Sequence, residues 1–202
     1  MIIAGIDYSL TSPAISILDF SDGSAALWEN CQSFFLTDMK KTHGGYGGLA
    51  GCKFLEGNPM LPFSSDQERY NNIAHWAHDV LKSHKVEYAF IEDYSYGSTG
   101  RVFHIAENGG VLKHVLHHSG IKFETIPPTV IKKHATGKGN ASKEMMEEAF
   151  YKETLIDLRG VLGLTPKQNN PISDIIDSYY ILKTGYVTLL EKETHERADT
   201  GS

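Results

Sequence analysis

The 202-residue sequence is 41% hydrophobic and 22% charged, the profile of one ordinary globular domain large enough to bury a core. Its formal net charge of −6 argues weakly against a nucleic-acid partner until the carboxylates are located. Cys31 and Cys52 form no C-x-x-C pair, and no apolar run is long enough for a secretory signal or a membrane span, so a cytoplasmic chain without disulfide or zinc scaffolding and without a membrane partner is expected.

Residues 1–7 (MIIAGID) are a short apolar run closing on an acid, the pattern of a buried strand. Residues 14–20 and 25–35 read as the second and third strands of a meander, with Asp22-Gly23 as the hairpin signal between them. From 37 to 65 the composition shifts to six glycines and little periodicity, which marks a loop insertion. Helical spacing returns at 68–83, where Ile73, Trp76, Ala77, Val80 and Leu81 share a face. Residues 87–91 form another apolar run ending in an acid, Glu92. A helix is expected over 101–118, with Gly109-Gly110 in its middle. Each glycine weakens a helix by about 1 kcal/mol relative to alanine, so the pair needs a packing reason. A fifth strand follows at 122–126, then helices opened by Pro127-Pro128, at 142–153 and at 174–183. The order implies an α/β fold with a mixed five-stranded sheet and flanking helices, in one domain over 1–190. Residues 191–202 read as a polar, frayed tail.

Chemistry concentrates on four carboxylates. Asp7 and Glu92 each follow a buried strand, where an acid is costly unless it meets solvent or a cation. Asp174 and Asp177 lie three apart on a predicted helix, so their side chains point the same way. If the two strands are neighbours, all four acids share one pocket and repel unless cations neutralise them. An all-oxygen ligand set suits Mg²⁺ or Mn²⁺ and not zinc. Two such ions about 4 Å apart can activate water and stabilise the leaving oxygen of a phosphodiester. The basic complement is local: residues 101–143 carry seven lysines and arginines against Glu107 and Glu124, densest in PPTVIKKHATGKGNASK. The acidic total therefore averages a basic window over an acidic remainder, and DNA is expected along that window.

Four segments, GIDYSLTS, FIEDY, PPTVIKKHATGKGNASK and NPISDIIDSYYI, taken in order, resemble the RuvC-type Holliday-junction resolvases of the RNase H-like superfamily. The resemblance implies an RNase H-like fold and a homodimer, paired through the helix at about 101–118, that nicks four-way DNA junctions symmetrically to leave 5′-phosphate and 3′-hydroxyl ends. It implies Asp7, Glu92, Asp174 and Asp177 as ligands of two Mg²⁺ or Mn²⁺ ions, with Lys132 and Lys143 as catalytic lysines. Ser9, Tyr94, Tyr96, Arg101, Lys132, Lys133, Lys138 and Lys143 are the expected DNA contacts. Tyr8 stands where bacterial members commonly have proline, and the insertion has no evident counterpart. Both departures point to a divergent, phage-type member working in its host's cytoplasm.

Competing readings are a less selective nuclease of branched DNA or flaps and an inactive junction-binding protein. A kinase or actin-like ATPase on the same superfamily sheet needs glycine soon after the first Asp, and Asp7-Tyr-Ser-Leu-Thr has none. Gly45-x-Gly47-x-x-Ala50 fits a dinucleotide fingerprint but lacks a preceding strand.

Overall fold

In the computed structural model, which describes residues 1–94 and 102–200, the apolar runs become strands Ile2–Asp7 (β1), Ala14–Asp19 (β2) and Gln32–Thr37 (β3). The insertion supplies Gly44–Gly45 (β4) and Phe54–Pro59 (β5), and the α/β half adds Tyr88–Glu92 (β6) and Lys122–Ile126 (β7). The sheet order is β4-β5-β3-β2-β1-β6-β7, so it is mixed as expected but has seven strands instead of five. β5 does alternate, with Leu55 and Gly57 buried, but a glycine on the inward face does not register as apolar. A Cβ at Gly57 would overlap the carbonyl of Thr42, so the glycine lets the 3₁₀ turn Lys40–Thr42 close over the strand.

The Asp22-Gly23 turn forms, with Gly23 left-handed at φ +84° and its amide donating to the Phe20 carbonyl over 3.0 Å. It does not lead straight into β3. Ala26 and Trp28 instead sink into the core on the intervening segment, so β3 starts at Gln32, later than the sequence pattern indicates.

One sheet face carries Asp66–Ser83 (α1) and Val102–His118 (α2), packed through residues such as Ile73, Ala77, Leu81, Leu112 and Leu116. Pro128–Thr136 (α3), Lys143–Thr154 (α4), Leu158–Val161 (α5) and Ile172–Thr200 (α6) cover the other. Helix α6 is far longer than the expected 174–183 and continues to Thr200, into the residues read as a frayed tail. Gly185, which weakens the sequence signal for a helix there, is the point where α6 crosses Phe90; any Cβ would overlap that ring. Among the described residues no helix is long and apolar enough to cross a membrane.

The approach of α6 to the sheet depends on small residues. A Cβ at Gly5 would overlap the Leu182 amide nitrogen and the Ser178 carbonyl of α6. Ser178 Oγ lies 2.8 Å from Ser16 Oγ on β2, which in turn lies 2.8 Å from Ser33 Oγ on β3. This seam of glycine and mutually hydrogen-bonded serines sets the height of α6 over the strand ends, and with it the place of Asp174 and Asp177.

Candidate active site

Strand alternation decides which way the acids face. On β1, Ile3 and Gly5 face α6, whereas Ala4 and Ile6 join the α1/α2 core; Asp7 follows the first set. On β6, Phe90 faces α6 and Ala89 and Ile91 face away, so Glu92 shares the face of Asp7. The strands are parallel, with Gly5 opposite Phe90 and Ile6 opposite Ile91, which brings Asp7 and Glu92 to adjacent strand ends. Tyr8, next along β1, turns its ring into the opposite core, so a bulky residue is accommodated where proline is common in the resembled family.

Helix α6 delivers the other two carboxylates. Asp174, Ser178, Leu182 and Gly185 form the stripe lying on the sheet, and Asp177 flanks it. Asp174 is held from two sides: Oδ2 accepts from Ser12 Oγ at 2.6 Å and from Ser173 Oγ at 3.3 Å. Lys143 Nζ, at the start of α4, lies 3.1 Å from Ser173 Oγ and is linked to Asp174 through it. Ser12 has no place among the expected site residues. Its only sequence signal is its position in the turn after Asp7, and its partner is 162 residues away.

The four carboxylates perturb one another. Burial pushes Asp7 well above the usual carboxylate range, and Asp174, Glu92 and Asp177 push it further. Burial likewise raises Glu92, against the pull of Lys132 and Lys143. Asp174 is raised by burial, opposed by the Ser12 and Ser9 hydroxyls and by Lys143. Asp177 is pushed up to about 7 by burial and by the charges of Glu92 and Asp174. Among the described residues none of the four has a salt bridge.

The expected lysines divide. Lys143 acts on all four carboxylates, and Lys132 on Glu92 and Asp177. Lys133 and Lys138 are exposed on and after α3, without a contact to the acids. Ser9, half-buried, accepts from the Ser12 amide at 3.1 Å, and its hydroxyl helps to hold Asp174 down. Tyr94 packs on α2: Lys113 Nζ is 4.6 Å from its ring centroid, and a Cβ at Gly109 would come within 2.7 Å of its hydroxyl. That contact gives Gly109 its packing reason inside the chain, while a Cβ at Gly110 would meet open space. Tyr96 and Arg101 lie outside the described residues.

An all-oxygen donor set with mutually raised pKa values and no salt bridge fits a hard divalent cation. Among the described residues no group of three or more His, Cys, Asp or Glu side chains is arranged to hold a metal ion, so the fit rests on the donor set and its electrostatics.

The comparison with known structures follows the same lines. Thermus thermophilus RuvC superposes with a TM-score of 0.53 at 22% identity, covering 91% of this chain and 92% of that one. The fold is that of RuvC. Thermus RuvC in complex with Holliday junction substrate matches equally, with a TM-score of 0.53 at 21% identity and the same coverage. In sequence, the crossover junction endodeoxyribonuclease RuvC of Synechococcus sp. strain CC9311 is 29% identical over 96 residues. That match spans 48% of this chain and 60% of the Synechococcus RuvC, less than two thirds of its length. No protein-family model matches the sequence.

Proposed function

We propose that the chain is a metal-dependent endonuclease that resolves four-way DNA junctions, acting as a homodimer that nicks two strands symmetrically. One observation carries the reading: β1, β6 and α6 of a RuvC fold bring four mutually interacting carboxylates to one end of the sheet, where, among the described residues, Lys143 and Lys132 act on them. Asp7, Glu92, Asp174 and Asp177 would hold Mg²⁺ or Mn²⁺, two ions per site. When bound, such ions supply a nucleophilic water near neutral pH and stabilise charge on the departing oxygen.

The chain's own residues do the rest. Ser12 and Ser173 lie against the same oxygen of Asp174, which fixes that carboxylate. Lys143, tethered to Ser173, presents a positive charge beside the acids where a scissile phosphate would gather negative charge in the transition state. Lys132 offsets the charge of Glu92 and Asp177. Helix α2 supports dimerisation, since Phe103 is 77% exposed and the open face at Gly110 lies on the same stripe.

The test offers labelled four-way junction and plain duplex side by side, with Mg²⁺ or with EDTA. Metal-dependent, symmetric nicking confined to the junction is the expected result. Equal cutting of duplex or flaps would keep the nuclease and remove junction selectivity; no cutting of any DNA with Mg²⁺ or Mn²⁺ would overturn the reading.

A further inference from the structure

The insertion that the sequence leaves without a role ends up beside the acids. Strands β1, β3, β5, β6 and β7 all point the same way, so the turn after β3 lies at the sheet end that carries Asp7 and Glu92. That turn, Lys40–Thr42, docks on the loop leading into α6. Lys41 Nζ donates to the Gly163 carbonyl at 2.8 Å and to Gln168 Oε1 at 3.3 Å. Gln168 Nε2 returns a contact to Met39 Sδ at 3.4 Å. Two residues on, Asn170 Nδ2 donates to Thr11 Oγ1 at 3.1 Å, and Asn170 Oδ1 lies 3.3 Å from Ser173 Oγ as an alternative to Asp174 for that hydroxyl's one proton. The insertion is thereby connected to the carboxylate cluster through one short loop.

The charge of this flank is one-sided. Lys40, Lys41 and the neighbouring Lys167 are exposed, against a single carboxylate, Asp38, in residues 38–43 and 163–169. Among the described residues none of the three lysines has a salt bridge. The acceptors that fix Lys41 are a carbonyl and an amide, which orient the ammonium without cancelling its charge. The lysines Lys132, Lys133, Lys138 and Lys143 follow β7 in the chain, and Lys143 lines a cavity together with Pro166, Asn169 and Asp177, so the start of α4 adjoins this flank.

We propose that Lys40, Lys41 and Lys167 form a second phosphate-contact surface, which carries the sugar–phosphate backbone of a duplex DNA arm onward from Lys143 along the loop that leads into α6. The proposal rests on the nuclease reading above and gives the insertion a function within it. A polyanion leaving the acids then meets Lys143 and the insertion lysines in turn, and the repulsion of the carboxylates confines it to that path.

Each phosphate contact contributes about −0.9 to the slope of log binding constant against log salt concentration. Junction binding is therefore measured in EDTA over a salt series for the unsubstituted protein, for the double variant Lys40→Gln/Lys167→Gln, and for Lys53→Gln/Lys82→Gln. The last pair removes the same charge at the opposite end of the sheet. The first double variant should flatten the slope by about 1.8 while its Mg²⁺-induced rise in melting temperature stays that of the unsubstituted protein. The control pair should keep the original slope. Lys41→Gln, which keeps a donor for Gly163, should flatten it by about 0.9. An unchanged slope in Lys40→Gln/Lys167→Gln, with junction binding intact, would overturn this surface and leave the nuclease reading standing. So would an equal loss in the control pair. Absence of salt-dependent junction binding by the unsubstituted protein would overturn both.

Discussion

Helix α6 touches two sets of carboxylates whose treatment is opposite. At its middle, Glu153 of α4 accepts from the Tyr179 hydroxyl and Lys183 Nζ on one oxygen and from Tyr180 on the other. Burial alone would raise its pKa, but Lys183 and the two hydroxyls outweigh burial and hold the carboxyl below its usual range. About one turn earlier, Asp177 has burial and two like charges against it and is pushed up to about 7. Glu153 is a carboxylate satisfied by the fold. Asp177 and its neighbours are gathered against their own repulsion, which the divalent cation proposed above would relieve.

Several substitutions break or sharpen that contrast. Asp7→Asn or Glu92→Gln should lower single-turnover junction cleavage by at least about 10³-fold while junction binding persists; full cleavage by either would remove it from the site. Gly5→Ala should cost about 3 kcal/mol in urea unfolding, because α6 must lift off β1 and carry Asp174 and Asp177 with it. Lys143→Ala should lower turnover about 10²-fold with junction affinity within about twofold, separating charge stabilisation in the transition state from ground-state binding. The smallest effects have opposite signs. Glu153→Gln should destabilise the protein by about 1–2 kcal/mol through loss of the Lys183 pair. Asp177→Asn, measured at pH 8 in EDTA, should raise the melting temperature by about 2–4 °C, since it removes a repelled charge.

The same contrast fixes a pH dependence. The folded-state pKa of Asp177, about 7, lies above its ordinary 3.8, so the folded protein binds that proton more tightly than the unfolded chain does. The stability tied to this protonation is complete below about pH 4 and is lost as pH rises through about 7. Divalent cations should therefore stabilise the protein more at pH 8 than at pH 5.5.

The acids were legible in the sequence because each sits at a point where a period-two or helical pattern breaks into charge: Asp7 after IIAGI, Glu92 after YAFI, and Asp174 and Asp177 inside an apolar helix. The basic segment was legible as a local excess of lysine. What stayed hidden depends on contacts distant in the chain. The β5 strand is masked by the inward Gly57, and the continuation of α6 by Gly185, whose reason for being there is Phe90. Ser12 is an ordinary turn residue until Asp174 comes to it, and Lys41 an ordinary surface lysine until Gly163, 122 residues on, meets it.

The claim beneath all of this is that the four carboxylates form a cation site, and calorimetric titration with Mg²⁺ and with Mn²⁺ at pH 8 tests it directly. Saturable binding is expected in the unsubstituted protein, weakened at pH 5.5 as the carboxylates take up protons and lost in Asp7→Asn. Absence of saturable binding at pH 8, or undiminished binding in an Asp7→Asn/Asp174→Asn variant, would contradict it.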